Sequence, residues 1–138
     1  MATRQEQEAS ARFSQRYGEE LGDVVRSIER DVIGGDWGAN GYTTMAQADQ
    51  IADVLVLGAG SMVLNIRAGQ GWPGLYLSSK AGCAVVMTDV PVEGLVIAHE
   101  RARREGLDER AWSVNASARD LPFAVETFDA VVHTDVLC

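Results

Sequence analysis

The chain has 138 residues, enough for one domain with a buried core and too few for two. Apolar residues make up 46% and charged residues 23%, which excludes a disordered or fibrous chain, and the net charge of −8 excludes a broad basic face that grips nucleic acid. The opening stretch MATRQEQEASARFSQ has no apolar leader core and no later run approaches ~20 apolar residues, so neither secretion nor membrane insertion is expected and a cytoplasmic location is.

In chain order, residues 5–17 and 19–33 read as helices. In the second, Leu21, Val24, Val25, Ile28 and Val32 recur at steps of three and four, with Arg26, Glu29 and Arg30 opposite. The glycine-dense GGDWGANGY, residues 34–42, stops that helix. Thr43-Thr44 caps a third helix through Leu57, and Gly58 to Ser61 ends and turns it. Four short apolar strands follow: MVLNI (62–66), CAVVMTDV (83–90), AWSVNAS (111–117) and FDAVVHTDVL (128–137). Helices at 75–80 and 92–106 alternate with them, which predicts a parallel sheet with helices on both faces and right-handed crossovers. Cys83 and Cys138 have no metal-ligand spacing and read as free thiols; no metal site is expected.

Two glycine pairs compete for the ligand-cradling turn of this βαβ unit. Gly58-Ala59-Gly60 follows helical spacing and precedes a strand, so it reads as a turn. Gly69-Gln70-Gly71-Trp72-Pro73-Gly74 lies between a strand and a helix, matches G-x-G-x-x-G, and is followed after 20 residues by Asp89 at the end of the next strand. That is the spacing at which a carboxylate accepts hydrogen bonds from a ribose. A nicotinamide dinucleotide satisfies this fingerprint as well as any other adenosine-containing cofactor. Trp72 and Tyr76 read as packing residues, with cofactor stacking left open for Trp72 by its place in the loop, and His99, on a polar helix face, reads as a surface residue.

Arg119-Asp120-Leu121-Pro122-Phe123 followed by Phe128-Asp129-Ala130-Val131-Val132 resembles the LPF…FDxV signature of class I S-adenosylmethionine-dependent methyltransferases, and VLNIRAGQGWPGLYL resembles their first motif. The resemblance runs from about Tyr42 to the last residue. It implies a Rossmann-like three-layer α/β/α sandwich over 45–138, preceded by an N-terminal helical segment and glycine-rich loop over 1–44. It implies S-adenosyl-L-methionine as cofactor and a small-molecule methyl acceptor. Asn65, Arg67, Ala68, Gly69 and Gly71 would lie by the cofactor's methionine part, Asp89 and Val90 by its ribose, and Ala116, Ser117 and Ala118 by its adenine. His133, Thr134 and Asp135 would face the acceptor, with His133 or Asp135 as base and His133 also near the cofactor. The glycine-dense segment 34–44 would serve as a lid or a plain connection.

The chain departs from the family pattern at four places. Asn65 replaces the usual acid at the end of the first strand, Arg67 the first glycine of the loop, and Ser117 an acidic adenine contact. The chain ends at Cys138 after the fourth strand, so only 3-2-1-4 of the family's order 3-2-1-4-5-7-6 is present. The fourth strand then becomes an apolar edge, which predicts self-association through it. The functional expectation is a methyltransferase domain impaired by truncation and substitution. The alternatives are a non-catalytic remnant and a nicotinamide-binding half-domain.

Overall fold

The computed structural model describes residues 3–18, 22–39 and 41–135. Leu21, Val136, Leu137 and Cys138, assigned above to a helix, the fourth strand and a free thiol, lie outside the described residues. The elements in order are α1 (Arg4–Gly18), α2 (Asp23–Ile33), α3 (Met45–Val54), β1 (Met62–Ile66), α4 (Gly74–Ala81), β2 (Ala84–Asp89), α5 (Val92–Arg104), β3 (Ala111–Asn115) and β4 (Ala130–Val132).

The strands form one parallel sheet in the order β3-β2-β1-β4. Register aligns Val63, Val85, Ala111 and Ala130, and one step on Asn65, Met87, Ser113 and Val132, so these residues share a face. That face is the core side: Val63, Val85 and Met87 have no exposed surface, and Leu75, Leu77, Ala98 and Ala102 of the helices close over them. The steps β1→β2 and β2→β3 run in the same direction, and right-handed crossovers therefore put α4 and α5 on one face. The other face carries Leu64, Val86, Trp112, Val114 and Val131, with Trp112 and Val131 exposed. Helices thus flank a parallel sheet, the α/β arrangement the alternation predicts. A right-handed return from β3 to β4 would cover the second face, but residues 116–129 contain no helix. That segment is instead held by the edge-to-face pair Phe123–Phe128, with centroids 5.1 Å apart, and by Asp129, whose carboxylate accepts from Met62 N–H at 2.7 Å.

Two further expectations change. α3 starts at the expected cap, a reciprocal Thr44–Gln47 box, but ends at Val54 because Val56 turns to φ 53° and Leu57 N–H reaches back to the Ala52 carbonyl. The Gly58–Ser61 turn is a separate device between α3 and β1, closed by Ser61 N–H on the Gly58 carbonyl at 2.9 Å. In α2 the apolar stripe Val24, Val25, Ile28 and Val32 faces outward, while Glu29 and Ile33 are buried. The reason is electrostatic: Glu29 Oε1 accepts from Trp37 N–H at 3.0 Å and Ala39 N–H at 2.9 Å, so the glycine loop folds back onto the acid and turns it inward. Among the described residues no helix is long and apolar enough to cross a membrane, and no cluster of metal-ligating side chains occurs.

Candidate functional site

The turn after β1 builds the site. Ala68 N–H donates to the Thr88 carbonyl at 3.1 Å, and Gly71 and Trp72 N–H both turn back to the Ala68 carbonyl. The chain reaches α4 through Gly69 at φ 54° and Gly71 at φ 102°, both in the left-handed region that favours glycine. A Cβ at Gly71 would lie 2.5 Å from Leu75 Cδ1, and one at Gly69 2.7 Å from the Tyr17 hydroxyl. The glycine pair 69–71 is therefore the loop of the βαβ unit, and 58–60 is the turn before it.

Asp89 ends β2 directly beside this loop. Its Oδ2 accepts from Gly69 N–H at 2.9 Å and its Oδ1 from Val90 N–H at 2.8 Å, with 6% of the residue exposed. Burial pushes its carboxyl up from the usual range, against those two donors and the Arg67 guanidinium, which pull it down. Asn115 Nδ2 donates to the Asp89 and Val90 carbonyls, which fixes the strand end below the carboxylate.

Two chambers meet at Arg67 and Asp89. One, of about 340 Å³, is walled by Ala68, Gly69 and Trp72, by Gly38 and Gly41, by Tyr17, and by Thr134 and Asp135. The other, of about 550 Å³, is walled by Val90, Pro91, Ala116, Ser117 and Ala118 and by Glu6. Ala9, Arg12 and Phe13 of α1 roof both. Of the residues expected to hold the cofactor, Arg67, Ala68, Gly69, Asp89, Val90, Ala116, Ser117 and Ala118 line these chambers; Gly71 shapes the loop against α4.

Asn65 is not brought to the cleft. It has no exposed surface: Oδ1 accepts from Gly74 N–H at 2.9 Å, and Nδ2 donates to the Val132 carbonyl at 3.3 Å. Its amide ties the start of α4 to β1 and β4. Arg67 holds the left-handed conformation of the missing glycine, φ 52°, with its side chain exposed over the cleft. His133 is exposed and lies on a separate open groove of about 750 Å³ with Ile51, Val54, Leu55 and Val131. Thr134 and Asp135 line both that groove and the glycine-loop chamber, and Asp135 accepts from Thr43 Oγ1 at 3.0 Å.

The pattern of residues 63–138, more than half the chain, matches the model of a family described as "Methyltransferase domain". The chain belongs to that methyltransferase-domain family. It is 35% identical over 83 residues to the methyltransferase GfsG of Streptomyces halstedii, covering 60% of this chain and 30% of that one. Over 89 residues it is 35% identical to the erythromycin 3''-O-methyltransferase of Saccharopolyspora erythraea, covering 64% and 29%. The chain therefore spans less than a third of the length of these relatives. A solved S-adenosylmethionine-dependent methyltransferase of Thiobacillus denitrificans, in complex with S-adenosyl-L-homocysteine, shares the fold with a TM-score of 0.63 at 16% identity over 85% of this chain and 45% of that one. The fold of this methyltransferase domain is accordingly the Rossmann-like α/β fold of class I enzymes.

Sequence reasoning missed the roof of the cleft. α1 packs on α5, with Ser14 Oγ donating to Glu93 at 2.6 Å and Phe13 stacked on Tyr17 at 5.9 Å. It also missed Gly94: a Cβ there would lie 2.8 Å from the Gly69 carbonyl oxygen, so the first turn of α5 approaches the loop backbone to backbone. A lone glycine early in an amphipathic helix was the only local signal for that contact. The glycine segment is pinned rather than free, since Arg101 donates to the Asp36 carbonyl at 2.7 Å and Gly38 and Gly41 wall the cleft. Trp72 packs on Tyr76, with centroids 5.7 Å apart, and also lines the chamber; His99 is exposed on α5.

Proposed function

We propose that this domain binds S-adenosylmethionine across the two chambers and serves methyl transfer to a hydroxyl of a small organic molecule. The observation that carries the reading is Asp89: a buried carboxylate, held by the glycine loop, stands where a polar chamber and a more apolar one meet. A ribose bound there leaves the methionine part to the Gly69 side and the base to Val90, Ala116 and Ala118. The residues present fit the cofactor. The loop is a cradle that a Cβ would fill, and the indole N–H of Trp72, buried in the chamber wall, has no acceptor within the described protein. It is a donor for a carboxylate, as are Arg12 and Arg67. S-adenosylmethionine, which family and fold both supply, brings a methyl group activated on a sulfonium. The protein excludes water with α1, orients the acceptor, and takes its proton at Asp135 or His133, the first of which borders both the chamber and the groove. The O-methyltransferase activity named for the Saccharopolyspora relative supports a hydroxyl acceptor.

Calorimetric titration with S-adenosylmethionine, S-adenosylhomocysteine and NAD tests the reading. Saturable binding of the adenosyl compounds is expected; tighter binding of NAD than of either would sink it.

A further inference from the structure

Three hydroxyls stand in the wall of the chamber beyond Asp89, those of Thr3, Ser10 and Ser117, and a hydroxyl presents either a proton or a lone pair to a ligand. The Ser117 proton is already committed. Ser117 Oγ donates to Glu6 Oε1 of α1 at 2.9 Å, across 111 residues of sequence. Glu6 is itself fixed from three sides: Oε2 accepts from Thr3 N–H at 2.8 Å and from Thr3 Oγ1 at 3.2 Å, and Arg119 Nε stands 3.5 Å from Oε1. Those donors keep its carboxyl below the usual range, so it accepts only. Ser117 Oγ receives one further bond, from Arg119 N–H at 3.3 Å, which leaves one lone pair for the cleft.

We propose that Glu6, reaching over from α1, fixes the Ser117 hydroxyl as a hydrogen-bond acceptor and so makes this chamber select a purine bearing an exocyclic amino group over one bearing a carbonyl there. The inference rests on the cofactor reading above and deepens it. Glu6 is a positioning residue, acting through Ser117. An amino group meets the lone pair of Ser117; a carbonyl meets it oxygen to oxygen, with both groups desolvated and unmatched. The acid that a shorter route would place at position 117 is thus replaced by a serine whose polarity is set from the other end of the chain.

The test is a double-mutant cycle read as selectivity. Affinities for S-adenosylhomocysteine and S-inosylhomocysteine are measured by calorimetry on the full chain and on Glu6→Ala, Ser117→Ala and the double variant. The wild type is expected to favour the adenosyl compound by about tenfold or more, the effect of one hydrogen bond exchanged for an unmatched pair. Glu6→Ala frees the hydroxyl to donate and brings the ratio toward one. In the Ser117→Ala background the same change leaves the ratio where it was. A Glu6→Ala variant that weakens both ligands in proportion would show only a loosened α1 and overturn the proposal, as would equal binding of the two compounds by the wild type. Binding of neither would overturn the cofactor reading and this inference with it.

Discussion

Asn65→Asp restores the acid of the family pattern, and the geometry predicts that it destabilises the fold without improving ligand binding. The carboxylate keeps one good partner: Gly74 N–H, 2.9 Å away at the first residue of α4, where the helix terminus also favours a negative charge by about 0.3–1 kcal/mol. Its second oxygen takes the place of Nδ2, which donates to the Val132 carbonyl at 3.3 Å and faces the Ile66 carbonyl at 3.4 Å. A donor becomes an acceptor against two acceptors, with no water at a side chain that has no exposed surface. The lost bond and the unmatched buried charge cost about 3–5 kcal/mol. Less the helix contribution, the net is about 2–5 kcal/mol, a large share of the 5–15 kcal/mol of a typical domain. The effect is pH-dependent with a definite sign. The variant's folded-state pKa is raised above the ~3.9 of an unfolded aspartate. Below that unfolded value both states are protonated, the acid donates to Val132, and most of the loss is recovered; stability then falls as pH rises through the folded pKa. Urea unfolding of both proteins at acidic and neutral pH measures this. Equal stability at neutral pH, or a loss that does not change with pH, would refute the reasoning.

Arg67→Gly removes a side chain from a left-handed residue at φ 52°; relief of roughly 1–2 kcal/mol is offset by about 0.5–1 kcal/mol of backbone entropy, so the thermal midpoint should hold or rise slightly. A clear fall would show that the guanidinium contributes contacts which outweigh the strain. Gly71→Ala brings a Cβ to 2.5 Å from Leu75 Cδ1 at φ 102°, and a loss of at least about 1–3 kcal/mol in urea unfolding is expected, together with lost adenosyl binding. Adenosyl affinity should fall on acidification at a pH above the ordinary aspartate value of 3.8, because burial raises Asp89 and its ionised form accepts from a ribose. In Arg67→Gly, which lacks the opposing cation, that fall should begin at still higher pH; calorimetry across the acidic range reads both.

The alternation of short apolar strands with helices was legible because its signals are local. β-branched runs bounded by glycine place β1 and β2, and the distance from Gly69 to Asp89 follows from the length of one crossover. The same locality explains what was not legible. Val24, Val25, Ile28 and Val32 repeat at helical spacing, yet the direction in which α2 faces is decided by Glu29, whose carboxylate closes a loop eight and ten residues later. Asn65 stands in a motif position that suggests the ligand, while its bonds to Gly74 and Val132 are tertiary and leave no trace in spacing. Between β3 and β4 there is no helix, and the loop that stands there, pinned by Phe123, Phe128 and Asp129, has no periodicity to announce it.

The same contrast locates the site. Four non-glycine residues hold left-handed backbone among the described residues, and two of them, Arg67 and Asp135, face the glycine-loop chamber. Strained backbone persists only where surrounding contacts over-determine it. Here those contacts come from distant stretches of chain: Thr43 donates to Asp135, Tyr17 lies against Gly69, and Gly94 brings α5 onto the same loop. None of these partners belongs to the βαβ unit that supplies the recognisable motif. The stretches on either side of residue 44 therefore wall one cleft. The strands aim the loop and Asp89, and the N-terminal helix and glycine segment give the cleft its roof, its far wall and the carboxylate that sets the polarity of Ser117. A ligand that fills both chambers must displace water from beneath Phe13 and Tyr17. Its affinity consequently depends on α1 as much as on the glycines beneath it.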